Sequence, residues 1–318
     1  MKIVILDAKT LGSDMDTSIF QSLGAVTEFQ LTQSGEVVER ISDADVIIAN
    51  KVVLNSGNLA FAKSLKLIAL TATGYNNVDL EFCKSHGIAV SNVAGYSTES
   101  VAQHTFSMLF YLNSSLRYFD EYVKSGGYSD SDTYWHFYNP WHELSGKHWG
   151  IVGLGEIGKS VARKAQMFGC KISYFSTSGK NHSNEYPELT FGELLSDCDI
   201  ISIHSPLNDL TKNLFGEKEL RKMKKNATLI NMGRGGIVDE FALAKALDND
   251  EIGFAALDVL SCEPILADNP LLSIKNPDKL LITPHIAWAS VEARTRLIFE
   301  VFENINEFFK GKLRNRIV

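Results

Sequence analysis

The stretch 149–158, Trp-Gly-Ile-Val-Gly-Leu-Gly-Glu-Ile-Gly, decides the fold of this 318-residue chain. An apolar run predicts a buried strand, the glycines follow the pattern G-x-G-x-x-G, and helical periodicity then continues to Phe168. The glycines allow a tight turn, a close approach of the backbone to a pyrophosphate, and close packing of helix on strand. The helix N-terminus offers unpaired amides to an anion. The stretch therefore predicts a dinucleotide site at Gly153, Gly155, Glu156, Ile157 and Gly158.

Apolar runs on both sides of this stretch alternate with helical segments, which predicts parallel sheets. The runs are 2–7, 45–50, 65–70 and 88–92 before it, and 171–175, 200–204, 227–232, 253–259 and 280–283 after it. We expect an α/β protein with two doubly wound parallel-sheet domains, Rossmann-like and flavodoxin-like, and a cleft between them. A long helix after 290 should return to the first domain. The predicted domains are residues 1–97 plus 289–318, which bind substrate, and residues 98–288, which bind NAD(P).

Composition excludes several classes of protein. With 31 Lys and Arg against 38 Asp and Glu, the formal net charge is -7, which does not suit a partner of nucleic acid. No run approaches the roughly 18 apolar residues of a membrane span, and the N-terminus lacks the pattern of a signal peptide. The cysteines lie far apart, so neither a disulfide framework nor a zinc site is expected. A cytoplasmic protein without a metal is the expectation.

The end of the run 171–175 bears on the choice of cofactor. Ser176 stands where an acidic residue would accept a hydrogen bond from the ribose 2′-hydroxyl of NAD and would repel the 2′-phosphate of NADP. Ser176, Thr177, Ser178 and Lys180 could donate to that phosphate, or the segment could be a solvated turn that tolerates either cofactor. The sequence leaves NAD(H) and NADP(H) both open.

Arg234, Glu263 and His285 each follow one of the last three strand candidates. The carboxyl ends of parallel strands meet at one edge, where ligands of open α/β sheets bind. Arginine offers a planar fork for a carboxylate or carbonyl oxygen, histidine exchanges a proton, and glutamate can orient the imidazole. Each alone is more often a surface or structural residue, but together they predict a catalytic site for a 2-hydroxy acid.

These motifs resemble those of the D-isomer-specific 2-hydroxyacid dehydrogenase family over nearly the whole chain. The matching stretches are GLGEIG (153–158), NMGRGGIVD (231–239), AALDVLSCEP (255–264) and TPHIAW (283–288). ATGYNNVD (72–79) and AGYSTESVAQHT (94–105) look most like glycerate dehydrogenase and hydroxypyruvate reductase members.

The resemblance implies a role for each matching residue. Arg234 would bind substrate, His285 would be the acid/base and Glu263 its partner, while Asp258 would contact the nicotinamide carboxamide. His204, Ser205 and Pro206 would line the adenosine pocket. Backbone amides at Thr73 and Gly74 would meet the substrate carboxylate. Apart from the resemblance, Lys51 ends a neighbouring predicted strand, where it either faces the substrate or is a solvated cation.

We therefore expect an NAD(P)-dependent oxidoreductase for small 2-hydroxy or 2-keto acids, with hydroxypyruvate or glyoxylate as first choices. One alternative is a nucleotide-sensing regulatory partner protein that resembles the corepressors of this family. Another is a dehydrogenase for a bulkier 2-keto acid. Aromatic residues are frequent in the irregular segment 126–147, which suggests packing against a second subunit and hence a homodimer.

Overall fold

The structure is a computed structural model that describes residues 1–318. It divides into two compact units, one formed by Met1–Ser97 with Ala289–Val318 and the other by Thr98–Trp288.

The first unit is built on a five-stranded sheet with every strand parallel, in the order β2-β1-β3-β4-β5. This is the flavodoxin-like order of doubly wound folds. The central strands are fully buried because helices cover both faces, and so they read as continuous apolar runs. The elements are β1 (Lys2–Ile5), β2 (Ala25–Glu28), α1 (Val37–Ile41), β3 (Val46–Ala49), α2 (Ser56–Leu59), β4 (Leu67–Leu70), α3 (Leu80–Ser85) and β5 (Ala89–Ser91).

The C-terminal segment completes this unit. Its helix, Val291–Phe309, begins at Ser290, whose hydroxyl accepts a hydrogen bond from the backbone N–H of Ala293. The helix packs against β4, and the tail beyond it pairs with β5 through Val90, which bonds to Ile317 and Val318. Residues near both ends of the sequence therefore belong to one compact unit.

The second unit contains a six-stranded parallel sheet in the order β11-β10-β9-β8-β6-β7. Its strands are β6 (His148–Val152), β7 (Lys171–Phe175), β8 (Ile200–Ile203), β9 (Thr228–Asn231), β10 (Phe254–Leu257) and β11 (Leu280–Ile282). Its helices are α4 (Thr98–Asn113), α5 (Leu116–Lys124), α6 (Glu156–Met167), α7 (Phe191–Asp197), α8 (Glu217–Leu220) and α9 (Glu240–Asp248), so the C-terminal helix is α10.

The strand order of this sheet reverses at β6, which pairs with both β7 and β8. In open α/β sheets ligands bind at such a switch point, outside the carboxyl ends of the strands. The glycine turn follows β6, and His204 follows β8.

The predicted fold class is confirmed, with two parallel α/β sheets. The structure adds β2, an edge strand whose residues are mostly exposed, and the short helix α5. Segment 126–147 has no helix or strand. No helix of the chain combines the length and the apolar composition that a bilayer crossing requires.

Candidate active site

The glycine turn exposes backbone where a phosphate would bind. Gly153 has φ +91°, and a Cβ there would lie 3.0 Å from the backbone N of Ser205. A Cβ on Gly158 would lie 2.3 Å from the carbonyl oxygen of Gly153, whereas one on Gly155 would meet nothing within 4 Å. Close packing therefore requires a glycine at position 158, whereas the open space beside Gly155 is available to a ligand. Glu156 and Ile157 begin α6, whose N-terminus is at this turn.

Buried polar atoms next to this turn have no partner in the protein. They are Ser176 Oγ, His204 Nδ1 and Ser205 Oγ. A buried polar atom without a hydrogen bond costs about 1–3 kcal/mol, so three of them at one sheet edge indicate that a polar ligand completes the site. The residues present therefore fit a dinucleotide.

His204 is held as a neutral imidazole. Its Nε2 lies 2.9 Å from Ser202 Oγ, which also accepts a hydrogen bond from Trp149 Nε1 at 2.8 Å. Burial lowers the pKa of His204 to about 3, so the ring is uncharged at neutral pH. Pro206 is exposed and its carbonyl accepts a hydrogen bond from Thr211 Oγ1.

Ser176 directly follows β7 and is 8% exposed. Thr177 is half-buried, and Ser178 and Lys180 are exposed beyond it. This edge thus offers hydroxyls and a cation, with a serine at the position expected to be acidic.

Glu263 and His285 form a hydrogen-bonded pair. Glu263 Oε2 lies 2.7 Å from His285 Nδ1, and Glu263 Oε1 accepts a hydrogen bond from the backbone N–H of Leu260 at 3.0 Å. The carboxylate is thereby fixed from two sides and in turn orients the imidazole. The backbone of His285 is left-handed, with φ +55°, a conformation that non-glycine residues seldom adopt.

Arg234 lies on a loop that Asn231 shapes. Buried Asn231 accepts a hydrogen bond from the Gly233 N–H and donates one to the Arg234 carbonyl. The exposed guanidinium donates to the Gly233 carbonyl at 2.8 Å, within its own loop. A Cβ on Gly235 would lie 1.9 Å from the carbonyl oxygen of Leu260, so this loop packs against the segment that leads to Glu263.

Asp258, at the end of β10, is 2% exposed, and its carboxylate accepts three hydrogen bonds. The donors are Thr283 Oγ1 at 2.6 Å and the backbone N–H groups of Ile286 and Ala287 at 2.9 Å. Thr283 Oγ1 is also 3.1 Å from His104 Nε2 on α4. Sequence reasoning assigned no role to His104 or Thr283. The spacing of four between Ser100, His104 and Met108 could have indicated a helix face turned to this loop.

The substrate residues predicted in the first unit lie at the carboxyl ends of β3 and β4. The Lys51 N–H and that of Asn50 donate to Asp7, whose pKa is raised by burial; the Lys51 side chain is exposed. Thr73 Oγ1 donates to the Val93 carbonyl at 2.8 Å, so this hydroxyl already has a partner. The loop at Thr73 and Gly74 is thereby fastened to the segment after β5.

Groups of three or more His, Cys, Asp or Glu side chains that could hold a metal ion are not found. Arg234, Glu263 and His285 each follow a strand of the sheet whose edge also carries the glycine turn.

Comparison with known proteins identifies the family. Residues 106–287 match the model of the D-isomer specific 2-hydroxyacid dehydrogenase NAD binding domain. A hydroxypyruvate reductase of Blautia hydrogenotrophica is 36% identical, with 98% of each chain covered. A glycerate dehydrogenase of Methylorubrum extorquens is 35% identical over 99% of this chain and 98% of its own.

Solved structures of proteins with similar sequences have the same fold as this chain. An acyclic imino acid reductase in complex with NADPH and D-Arg superimposes with a TM-score of 0.87 and 30% identity, over the full length of both chains. A D-lactate dehydrogenase from Aquifex aeolicus, complexed with NAD and lactic acid, gives 0.81 and 26%, covering 98% of this chain and 96% of its own. The resemblance seen in the motifs is confirmed: this chain belongs to the D-isomer-specific 2-hydroxyacid dehydrogenase family, whose members are NAD-dependent oxidoreductases acting on the hydroxyl group of 2-hydroxyacids.

Proposed function

We propose that this protein reduces small 2-keto acids to 2-hydroxy acids with a nicotinamide cofactor, with hydroxypyruvate or glyoxylate as substrate, and catalyses the reverse oxidation. The observation that carries the proposal is the 2.7 Å contact between Glu263 and His285, at the sheet edge that also carries the glycine turn. Relatives named hydroxypyruvate reductase, glycerate dehydrogenase and glyoxylate reductase support the substrate class.

His285 acts as the acid and base. Because Nδ1 bonds to Glu263, Nε2 is the nitrogen left to face the substrate oxygen. A bound nicotinamide supplies the hydride that reaches C2 of the keto acid. His285 then gives its Nε2 proton to the former carbonyl oxygen, and in the oxidation it takes that proton from the hydroxyl.

Binding groups hold the substrate in place for this transfer. The Arg234 fork would bind its carboxylate or carbonyl oxygen, and the roles of Lys51, Thr73 and Gly74 in substrate binding stay predictions. The residues that would hold the cofactor are Gly153, Gly155, Glu156, Ile157 and Gly158 at the turn, Ser176, Thr177, His204, Ser205 and Pro206 beside it, and Arg234, Asp258 and His285 at the later strand ends.

NADP(H) is the proposed cofactor in preference to NAD(H). The buried Ser176 hydroxyl without a partner, the neighbouring Thr177 and the exposed Lys180 offer donors to a 2′-phosphate. An NADPH complex of one structural relative and an NAD complex of another supply precedents for both forms.

We further propose a cytoplasmic homodimer. Its cysteines are free thiols, as a reducing compartment would keep them. Large aromatic side chains of segment 126–147 are exposed, among them Tyr134, Trp135, Phe137 and Trp141, and such a patch is typical of a protein–protein interface.

The experiment is turnover with and without His285. Purified protein is mixed with NADPH or NADH and a panel of 2-keto acids that includes bulky ones, and the loss of reduced-nicotinamide absorbance is followed. His285→Asn, which tolerates a left-handed backbone, should lower kcat by about 10²–10⁴-fold because a positioned proton transfer is lost. Its cofactor affinity, measured by fluorescence, should fall far less than kcat, because the glycine turn and the residues beside it are unchanged.

Three other results would count against the proposal. Cofactor binding without turnover of any keto acid would indicate a nucleotide-sensing protein. Turnover of bulky substrates alone would overturn the proposed substrate. Full activity in His285→Asn would remove the proposed acid.

A further inference from the structure

One face of α4 contacts the segment that carries His285. Ser100 Oγ donates to the Ala287 carbonyl at 2.6 Å, His104 Nε2 lies 3.1 Å from Thr283 Oγ1, and Met108 Sδ lies 3.7 Å from the same hydroxyl. Residues spaced by four lie above one another on a helix. The helix therefore follows the segment 283–287 along its length, although the two are far apart in the sequence.

The donor and the acceptor of each hydrogen bond among His104, Thr283 and Asp258 can be assigned. Thr283 has one hydroxyl proton, and it goes to Asp258 Oδ1, which lies 2.6 Å away and as a carboxylate oxygen is the strongest acceptor nearby. The Thr283 oxygen must then accept from His104, so His104 carries its proton on Nε2. The chain of donors runs from His104 through Thr283 to Asp258.

Asp258 in turn sets the backbone around His285. Its carboxylate accepts from the N–H groups of Ile286 and Ala287, and its backbone carbonyl accepts from the N–H of His285. The left-handed conformation of His285 is unfavourable and persists only where the surroundings impose it. These hydrogen bonds are those surroundings, because they hold the residue itself and the two that follow.

We propose that His104 and Thr283 are positioning residues, which act through the Asp258 carboxylate to hold His285 in the backbone conformation that sets its contact with Glu263. Neither touches the reacting atoms. The catalytic consequence rests on the proposed function, whereas the effect on the placement of His285 does not.

Two substitutions at one position test the proposal. Thr283→Val keeps the shape of the side chain and removes the hydroxyl, while Thr283→Ser keeps the hydroxyl and removes a methyl group. Because a misplacement of about 1 Å can cost about a hundredfold in rate, Thr283→Val should lower kcat by about tenfold to a hundredfold. The KM for keto acid and the Kd for NADPH should change less than kcat, because Thr283 lies neither at the glycine turn nor at Arg234. Thr283→Ser should remain close to wild type.

The second readout needs no turnover. The imidazole ¹⁵N resonances of His285, assigned by their loss in His285→Asn, report its hydrogen bond to Glu263. They should shift in Thr283→Val and keep their wild-type positions in Thr283→Ser. If the wild type reduces no keto acid, the proposed function fails and these resonances still decide the positioning role.

Two substitutions of His104 on α4 test the same proposal if the Thr283→Val protein does not fold. His104→Gln keeps an N–H donor, and His104→Leu removes it at a side chain that is 21% exposed. His104→Leu should lower kcat and shift the His285 resonances as Thr283→Val does. In His104→Gln, kcat and the resonance positions should be closer to those of the wild type. The proposal is overturned if His104→Leu and His104→Gln give the same kcat and the same His285 resonances. It is also overturned if His104→Leu or Thr283→Val leaves kcat and these resonances unchanged.

Discussion

At the residue scale, the proposed preference for NADP(H) predicts that a carboxylate at position 176 would change the cofactor. A carboxylate at this buried position would sit near a bound 2′-phosphate, and two like charges about 4 Å apart at an effective dielectric of 20 repel by about 4 kcal/mol. Ser176→Asp should therefore weaken NADPH binding by more than about tenfold and strengthen NADH binding, because the carboxylate accepts from a free 2′-hydroxyl.

The measurement is a fluorescence titration of both reduced cofactors without substrate. Ser176→Asn is the matched control, since it has the size of aspartate without the charge. Equal affinities for NADPH in the two variants would show that charge at this position does not select the cofactor.

The role of a single residue could be predicted only where its position in the fold could also be predicted. The sequence predicts the pairing of Glu263 and His285 because each follows a strand of one parallel sheet, and the carboxyl ends of such strands meet at one edge. The contact between His104 and Thr283 could not be predicted, because 179 positions separate the two residues. No pattern in the sequence around either residue indicates that they meet. For Asp258 the family resemblance suggested a cofactor contact and gave no hint of the backbone amides that it binds.

At the scale of the element, the turn between β6 and α6 uses its glycines for different purposes. Gly158→Ala would push a Cβ against the carbonyl of Gly153, and overpacking of this kind costs about 1–3 kcal/mol. Gly155→Ala meets open space and should leave stability near that of the wild type, while its methyl group weakens dinucleotide binding at the phosphates.

Thermal unfolding and cofactor titration of the two variants separate these effects. Gly158→Ala should lower Tm even without cofactor. A fall in Tm in Gly155→Ala, or undiminished cofactor binding there, would contradict the role given to the open space.

Strands were predicted best where the sheet buries them on both faces. Val46–Ala49 and Leu67–Leu70 are buried throughout, so their apolar runs are unmistakable. Ala25–Glu28, by contrast, is an edge strand with mixed exposure, and its sequence carries neither an apolar run nor a clear alternation. Tertiary pairing with β1 makes it a strand, and such pairing is not visible in local sequence.

At the scale of the whole molecule, the exposed aromatic residues of segment 126–147 predict association. Tyr134 is 82% and Phe137 86% exposed, which is costly in a monomer because apolar area contributes about 25 cal/mol per Å² when it is buried. Sedimentation should give a dimer at micromolar concentration, and Tyr134→Ser with Phe137→Ser should raise the monomer fraction.

Phe241→Ser, at another exposed aromatic on α9, is the matched control and should sediment like the wild type. A monomer at every concentration would remove the dimer proposal.

The first unit is built from the two ends of the sequence, which has a consequence for its folding during synthesis. Its strands β1 to β5 leave the ribosome early, but α10 and the tail that pairs with Val90 are translated only after the entire second unit. The unit made first is therefore completed last, and the face of β4 that α10 covers stays bare during elongation. Newly made chains should depend on chaperones over this interval, and a clone that stops before residue 289 should yield an aggregating product rather than a smaller folded one.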